Sequence, residues 1–353
     1  MRLLSEMKLL FLPRVSLLPV AVAALVLGVA FTAQAQLTVN GAGATFPNPL
    51  YTKWFDAYAK VDPSVRFNYQ AIGSGAGKKQ ITEQTVDFGA SDGPMSDEEL
   101  AKAPGKILHI PTVAGAVAVT YNVPGLTGLQ LDGPTLADIF LGKIRKWNDP
   151  AIVKLNAKAK LPKSDIVVVH RSDGSGTSYI WTDYLSTVSP EWKEKVGKNT
   201  AVQWPVGLGA KGNEGVAGQV RQMPGSIGYV EIAYAFQNHM AMAQMINKAG
   251  KPTSPNVETV AAAMAGAQIP DDFRFSMVNA DGPTAYPICG ATWLLVYAEQ
   301  KDHEKGQKLV AFLRWMIADG QKMAAKELHD LQYAPLPEAV QKRVAAEIDG
   351  IKP

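Results

Sequence analysis

The 353 residues carry 35 Lys+Arg against 32 Asp+Glu, a formal net charge of +3, with 47% apolar and 19% charged side chains. That balance excludes a disordered chain, and a small net charge with no basic face argues against a nucleic-acid partner. The single cysteine, Cys289, excludes an intramolecular disulfide, a Cys-rich zinc site and an iron–sulfur cluster, and is expected in the core.

In chain order, the first feature is an address. Arg2, Lys8 and Arg14 precede an apolar run from Val15 to Phe31, which closes on Thr32-Ala33-Gln34-Ala35. This is the order of a cleavable secretory signal, with cleavage expected after Ala35. A retained anchor fits less well, because Pro19 and Gly28 interrupt the run and small residues follow it. The exported remainder keeps 32 basic and 31 acidic residues, and with no cysteine near its new N-terminus no lipid anchor is expected. No later run approaches the roughly 18 to 20 apolar residues that span a bilayer.

Beyond the signal, β-branched and aromatic runs alternate with helix-period segments, so the fold class is α/β. Leu37–Val39 and Val65–Ile72 read as strands, and between them Leu50, Trp54 and Tyr58 recur at helical spacing from about Asn48 to Lys60. A helix is expected over Gly77–Thr85, another after the capping box Ser96-Asp97-Glu98-Glu99, and a strand over Ile107–Ile110. Val113–Tyr121 reads as a further strand, Thr135-Leu136-Ala137-Asp138 as a second capping box, and Ile166–His170 as a strand feeding a Gly/Ser turn. Ala291–Tyr297 reads as a strand, and Glu304–Leu328 has a helical period through Leu309, Phe312, Leu313 and Met316. Pro and Gly are spread over many short connections, with no single linker and no internal repeat. Two α/β lobes crossed more than once by the chain are therefore expected: 36–115 with 290–353, and 116–289.

Three glycine-rich turns each follow a strand and open a helix: Gly41-Ala42-Gly43-Ala44-Thr45-Phe46, Gly73-Ser74-Gly75-Ala76-Gly77 and Asp173-Gly174-Ser175-Gly176-Thr177. A helix start presents unpaired N–H groups and the positive end of its dipole, so it suits an anion. One such turn is ordinary N-capping; three, each with a hydroxyl, point to a converging site. The Walker pattern fails, because three residues separate Gly73 from Gly77 and Lys79 follows Lys78. Gly207-Leu208-Gly209-Ala210-Lys211-Gly212 satisfies Gly-x-Gly-x-x-Gly, but no clear β-run precedes it, and it reads as a loop ending at a helix near Asn213. Ser175 lacks the Gly-x-Ser-x-Gly frame of a hydrolase nucleophile and has no identifiable base. The five histidines, His109, His170, His239, His303 and His329, show no metal-pair spacing and take no assignment.

These strings, with Val86-Asp87-Phe88-Gly89-Ala90-Ser91-Asp92, Leu141-Gly142-Lys143-Ile144, Lys146-Trp147 and Gly225-Ser226-Ile227-Gly228-Tyr229-Val230-Glu231, run in order over almost the whole exported chain. In them the chain resembles the periplasmic phosphate-binding proteins of bacterial phosphate ABC importers, the PstS family. The resemblance implies a two-lobed type II periplasmic-binding-protein fold with the anion held in the cleft between lobes, a periplasmic monomer delivering phosphate to permease subunits, and no cofactor, metal or enzymatic activity. Carried over by position, the phosphate contacts are Thr45, Phe46 (backbone N–H), Ser74, Asp92, Arg171, Ser175, Gly176 (backbone N–H) and Thr177, with Asp173 pairing the arginine. Gly75 departs from the family's second serine. A phosphatase built on Ser175, or a binder of arsenate or sulfate, is the alternative.

Overall fold

In a computed structural model, residues 36–326 and 329–353 are described. The expected signal segment, 1–35, lies outside them, as does Leu328 at the end of the expected last helix.

Leu37–Gly43 pairs in parallel with Val65–Ala71, from Leu37 opposite Val65 to Gly43 opposite Ala71. Parallel neighbours need a crossover, and the helix Asn48–Val61 supplies it, burying Leu50, Tyr51, Trp54 and Tyr58 along one face. On the other side Leu37–Gly43 pairs in parallel with Phe88–Ser91, with the helix Ser74–Thr82 as crossover. This helix starts three residues ahead of the expected Gly77, because Gly73 at φ +99° takes a conformation that favours glycine and lets the helix begin inside the turn. Ser74 is thereby fixed on its first turn.

Gly77 sits where this helix meets the sheet: a Cβ there would stand 2.7 Å from the Ala90 carbonyl oxygen and 2.8 Å from that of Ala42. Both obstacles are backbone and cannot swing away. Gly77→Ala is therefore expected to destabilise the fold by about 1–3 kcal/mol, read as a lower urea midpoint with an unchanged m-value.

The expected strands Ile107–Ile110 and Val113–Tyr121 are one strand, Ile107–Asn122, buried along nearly its whole length. Pro111 suggests a break because it cannot donate to a ladder. The strand continues through it because the pairing with Cys289–Tyr297 shifts register there: Pro111 faces Trp293 and Val113 faces Thr292, leaving Thr112 as the extra residue of a bulge. From Val117 onward the strand pairs instead with Ser226–Glu231. The sheet thus runs Val65–Ala71, Leu37–Gly43, Phe88–Ser91, Cys289–Tyr297, Ile107–Asn122, Ser226–Glu231, Val167–Arg171, Leu208–Ala210.

Aromatic side chains gather on either half. Phe55, Tyr58, Phe67, Phe312 and Trp315 pack together beside the first strands, and Phe140, Trp181, Trp204 and Tyr229 beside the last ones. Cys289 is buried, and burial pushes its thiol up.

Other expectations need correction. Asp132, not Thr135, caps the helix Gly133–Phe140, accepting from Thr135 N at 2.9 Å. The Ser96 capping box forms, but its helix is only Asp97–Leu100. The Gly207–Gly212 stretch holds a short edge strand, Leu208–Ala210, paired in parallel with Val167–Arg171, so a strand does precede that helix start. The C-terminal helix His303–Trp315 passes through a π-turn at Met316–Gly320 into Gln321–Lys326.

Candidate functional site

Four helix starts converge. Thr45 and Phe46 precede the helix Asn48–Val61, Ser74 opens Ser74–Thr82, Ser175 caps Gly176–Val188, and Lys211 caps Gly212–Gln222. Between them stand Asp92, just past Phe88–Ser91, and Arg171, the last residue of Val167–Arg171. Thr45, Ser74, Asp92, Arg171, Ser175 and Thr177 are each at most 2% exposed, so every polar group here must find a partner inside the protein or in a bound solute.

Hydrogen bonds tie the segments together. Ser74 Oγ accepts from Asp92 N at 3.2 Å and from Gly176 N at 3.0 Å. Its own hydrogen is left to donate, with Asp92 Oδ2 the nearest acceptor at 3.5 Å. The Gly176 N–H, expected to face an anion, is thus turned onto the Ser74 hydroxyl. Ser175 Oγ accepts from Ser178 N at 3.0 Å, an N-cap bond, and has no imidazole among its partners. Phe46 N donates to no acceptor among the described residues, while its carbonyl accepts from the Tyr333 hydroxyl at 2.6 Å. Gly75 N donates to Gly174 O at 2.8 Å, and a Cβ on Gly75 would lie 3.1 Å from Gly174 Cα. The departure from serine therefore lets two turns touch backbone to backbone.

Arg171 is gripped by Asp173: Nε reaches Oδ1 at 2.8 Å and Nη2 reaches Oδ2 at 2.5 Å, a fork-to-fork pair. Burial pushes the Asp173 carboxyl up, but the guanidinium and the Gly212 N–H more than offset this and hold it below the usual carboxylate range. Nη1 reaches Thr177 Oγ1 at 3.4 Å. One N–H on each terminal nitrogen is left over and can serve a planar pair of oxygens.

Asp92 is the opposite case. Burial raises its carboxyl to about 7, against the lowering influence of the Thr292 hydroxyl, Arg171 and Ser74. Oδ1 accepts from Thr292 Oγ1 at 2.8 Å, which leaves Oδ2 as the acceptor turned toward Ser74 and Gly176. Behind the site, burial pushes Glu231 well above the usual carboxylate range; its Oε2 meets the Tyr333 hydroxyl at 3.0 Å and Ala233 N at 2.9 Å.

All the residues expected from sequence lie in this one buried cluster or its wall. Sequence reasoning missed Asn213, Thr292, Tyr234 and Tyr333, which hold the cluster from behind. The signal for Asn213 was present, since it follows the Gly-x-Gly-x-x-Gly string; the other three sit in no motif. Among the described residues no group of His, Cys, Asp and Glu could hold a metal, and no helix is long and apolar enough to cross a membrane.

Helix dipoles, hydroxyl donors and one paired arginine around a buried acceptor, on a sheet shared by two halves, define a solute-binding protein, and a model of the PBP superfamily domain matches residues 28–320. The phosphate-binding protein PstS of Pasteurella multocida is 48% identical over 90% of this chain and 91% of its own length, and that of Haemophilus influenzae 42% identical over 92% and 96%. A high-affinity periplasmic phosphate-binding protein solved with phosphate (PfluDING) superposes with a TM-score of 0.71 at 22% identity, over 88% of this chain and 93% of that one. The likeness to it is one of fold, the type II periplasmic-binding-protein fold that the sequence led us to expect. This chain belongs to the PstS family of phosphate-binding proteins.

Proposed function

We propose that this protein captures inorganic phosphate in the periplasm and hands it to the membrane subunits of an ABC importer, acting as a monomeric binding protein and not as an enzyme. The two lobes are 36–115 with 290–353, and 116–289, and the signal 1–35 is removed after Ala35. The phosphate contacts are the hydroxyls of Thr45, Ser74, Ser175 and Thr177, the Phe46 N–H, the fork of Arg171 and the carboxylate of Asp92, while Asp173 positions the arginine. Gly176 acts through Ser74, whose oxygen it occupies.

The observation that carries this reading is the imbalance of the cluster: many donors and one acceptor, Asp92 Oδ2. Phosphate at neutral pH keeps a proton, which a carboxylate can accept in a charge-assisted hydrogen bond. Sulfate has none, and would set an oxygen lone pair against Asp92. Sites that demand a particular hydrogen bond reject the analogue lacking it by several orders of magnitude.

Calorimetric titration tests this. Phosphate is expected to bind and arsenate to compete, while millimolar sulfate leaves the phosphate isotherm unchanged. Equal affinity for sulfate would overturn the assignment of Asp92, turnover of a chromogenic phosphate ester would favour the Ser175 hydrolase, and no heat with phosphate would end the phosphate reading.

A further inference from the structure

Asn213 stands at the start of the helix Gly212–Gln222, wholly buried, and belongs to none of the expected contacts. Its amide orientation is settled by chemistry. Oδ1 lies 2.9 Å from the backbone N–H of Glu231, an obligate donor, so this atom must be the oxygen. Nδ2 therefore faces the other way, 2.8 Å from Thr45 Oγ1 and 3.2 Å from Thr177 Oγ1.

The consequence follows from counting protons. A hydroxyl has one hydrogen and two lone pairs. Thr45 Oγ1 receives both Nδ2 and the backbone N of Asn213, the latter at 3.4 Å. Thr177 Oγ1 receives Nδ2 of Asn213 and Nη1 of Arg171. Both oxygens are saturated as acceptors, and neither donates to any acceptor among the described residues. Each threonine can offer the cleft only its hydrogen.

Resting on the phosphate reading above, we infer that Asn213 is a positioning residue that never touches the ligand: it holds the Thr45 and Thr177 hydroxyls with their protons aimed into the cleft, and thereby makes this wall donor-only. The same helix start also holds Asp173, through the Gly212 N–H to Oδ1 at 3.0 Å, and so the arginine. The Gly-x-Gly-x-x-Gly string thus organises an anion site from behind. Gly212 has φ +72°, which suits glycine and sets Asn213 at its angle.

The test is a titration with inorganic phosphate of wild type, Asn213→Asp and Asn213→Leu. Asn213→Asp keeps the oxygen that caps Glu231 N but buries a carboxylate, so some loss of melting temperature is expected and affinity is read on protein that circular dichroism shows to be folded. It turns donor into acceptor, so both threonine protons are drawn back, and affinity should fall by about a hundredfold or more. Asn213→Leu should lose about tenfold to a hundredfold. A readout that mere packing would not move is the double-mutant cycle with Thr45→Val: the cost of Asn213→Leu should shrink clearly there, because half of the amide's work is already gone. Equal cost in both backgrounds, or an Asn213→Asp chain within about threefold of wild type, would overturn the inference alone. A wild type that ignores phosphate would overturn the phosphate reading itself.

Discussion

Replacing Arg171 with alanine is expected to abolish phosphate binding, lowering affinity by about a thousandfold or more. Two hydrogen bonds from the guanidinium to a charged ligand would be lost, each contributing roughly 1.5–3 kcal/mol. The loss of charge weighs further. Among the described residues Arg171 is the one cation hydrogen-bonded within the cluster, and Asp173 lies against it with both oxygens engaged. Without Arg171, Asp173 keeps only the Gly212 N–H among these bonds, and it joins Asp92 in repelling an incoming anion. Truncating one member of a buried charged pair is costly chiefly because the survivor is left unpaired. Arg171→Lys separates charge from geometry: a single ammonium cannot match both Asp173 oxygens and a ligand, so an intermediate loss is expected. Calorimetry on folded variants, checked by circular dichroism, reads both. Unchanged affinity in Arg171→Ala would remove this residue from the site.

The local half of this architecture is legible in the sequence because it is chemistry of neighbours. Thr45-Phe46, Ser74 and Ser175-Gly176-Thr177 each stand at a strand-to-helix turn, where short-range rules hold and where the structure puts helix starts. Asp92 and Arg171 stand at strand ends beside those turns and were found through the family strings. The supports were hidden for the complementary reason. Asn213 lies 168 residues from Thr45, Thr292 lies 200 from Asp92 and Tyr333 lies 287 from Phe46, and no local pattern reports a bond across such separations. The split of one strand into Ile107–Ile110 and Val113–Tyr121 has a related cause: the bulge at Thr112 that carries the strand past Pro111 depends on how the partner strand pairs. The capping box read at Thr135 misplaces the helix start by three residues: Asp132 is the N-cap, and its side chain accepts from Thr135 N.

Asp92→Asn should leave phosphate bound while relaxing the rejection of sulfate, because an amide can turn a donor toward an oxygen that has no proton. At about pH 8, where a carboxyl at about 7 is still about one-tenth protonated, the variant should bind sulfate about tenfold better than wild type does. The wild type should itself approach that behaviour on acidification. With its carboxyl raised from 3.8 to about 7, Asp92 gains a proton of its own as pH falls below neutrality and can then donate to sulfate. The same shift fixes a sign for stability. A carboxyl whose folded value lies above its unfolded one favours the folded chain below about pH 4, and that contribution is lost as pH rises through about 7. Ligand-free wild type should therefore lose melting temperature across this interval, and Asp92→Asn should flatten the profile by removing the titrating group. Competition titrations at about pH 8 and about pH 5, with melting curves between, put both halves to the test. A variant that still ignores millimolar sulfate, together with a melting profile that keeps its slope, would mean that the carboxylate at Asp92 neither senses the ligand's proton nor carries the charge that burial resists.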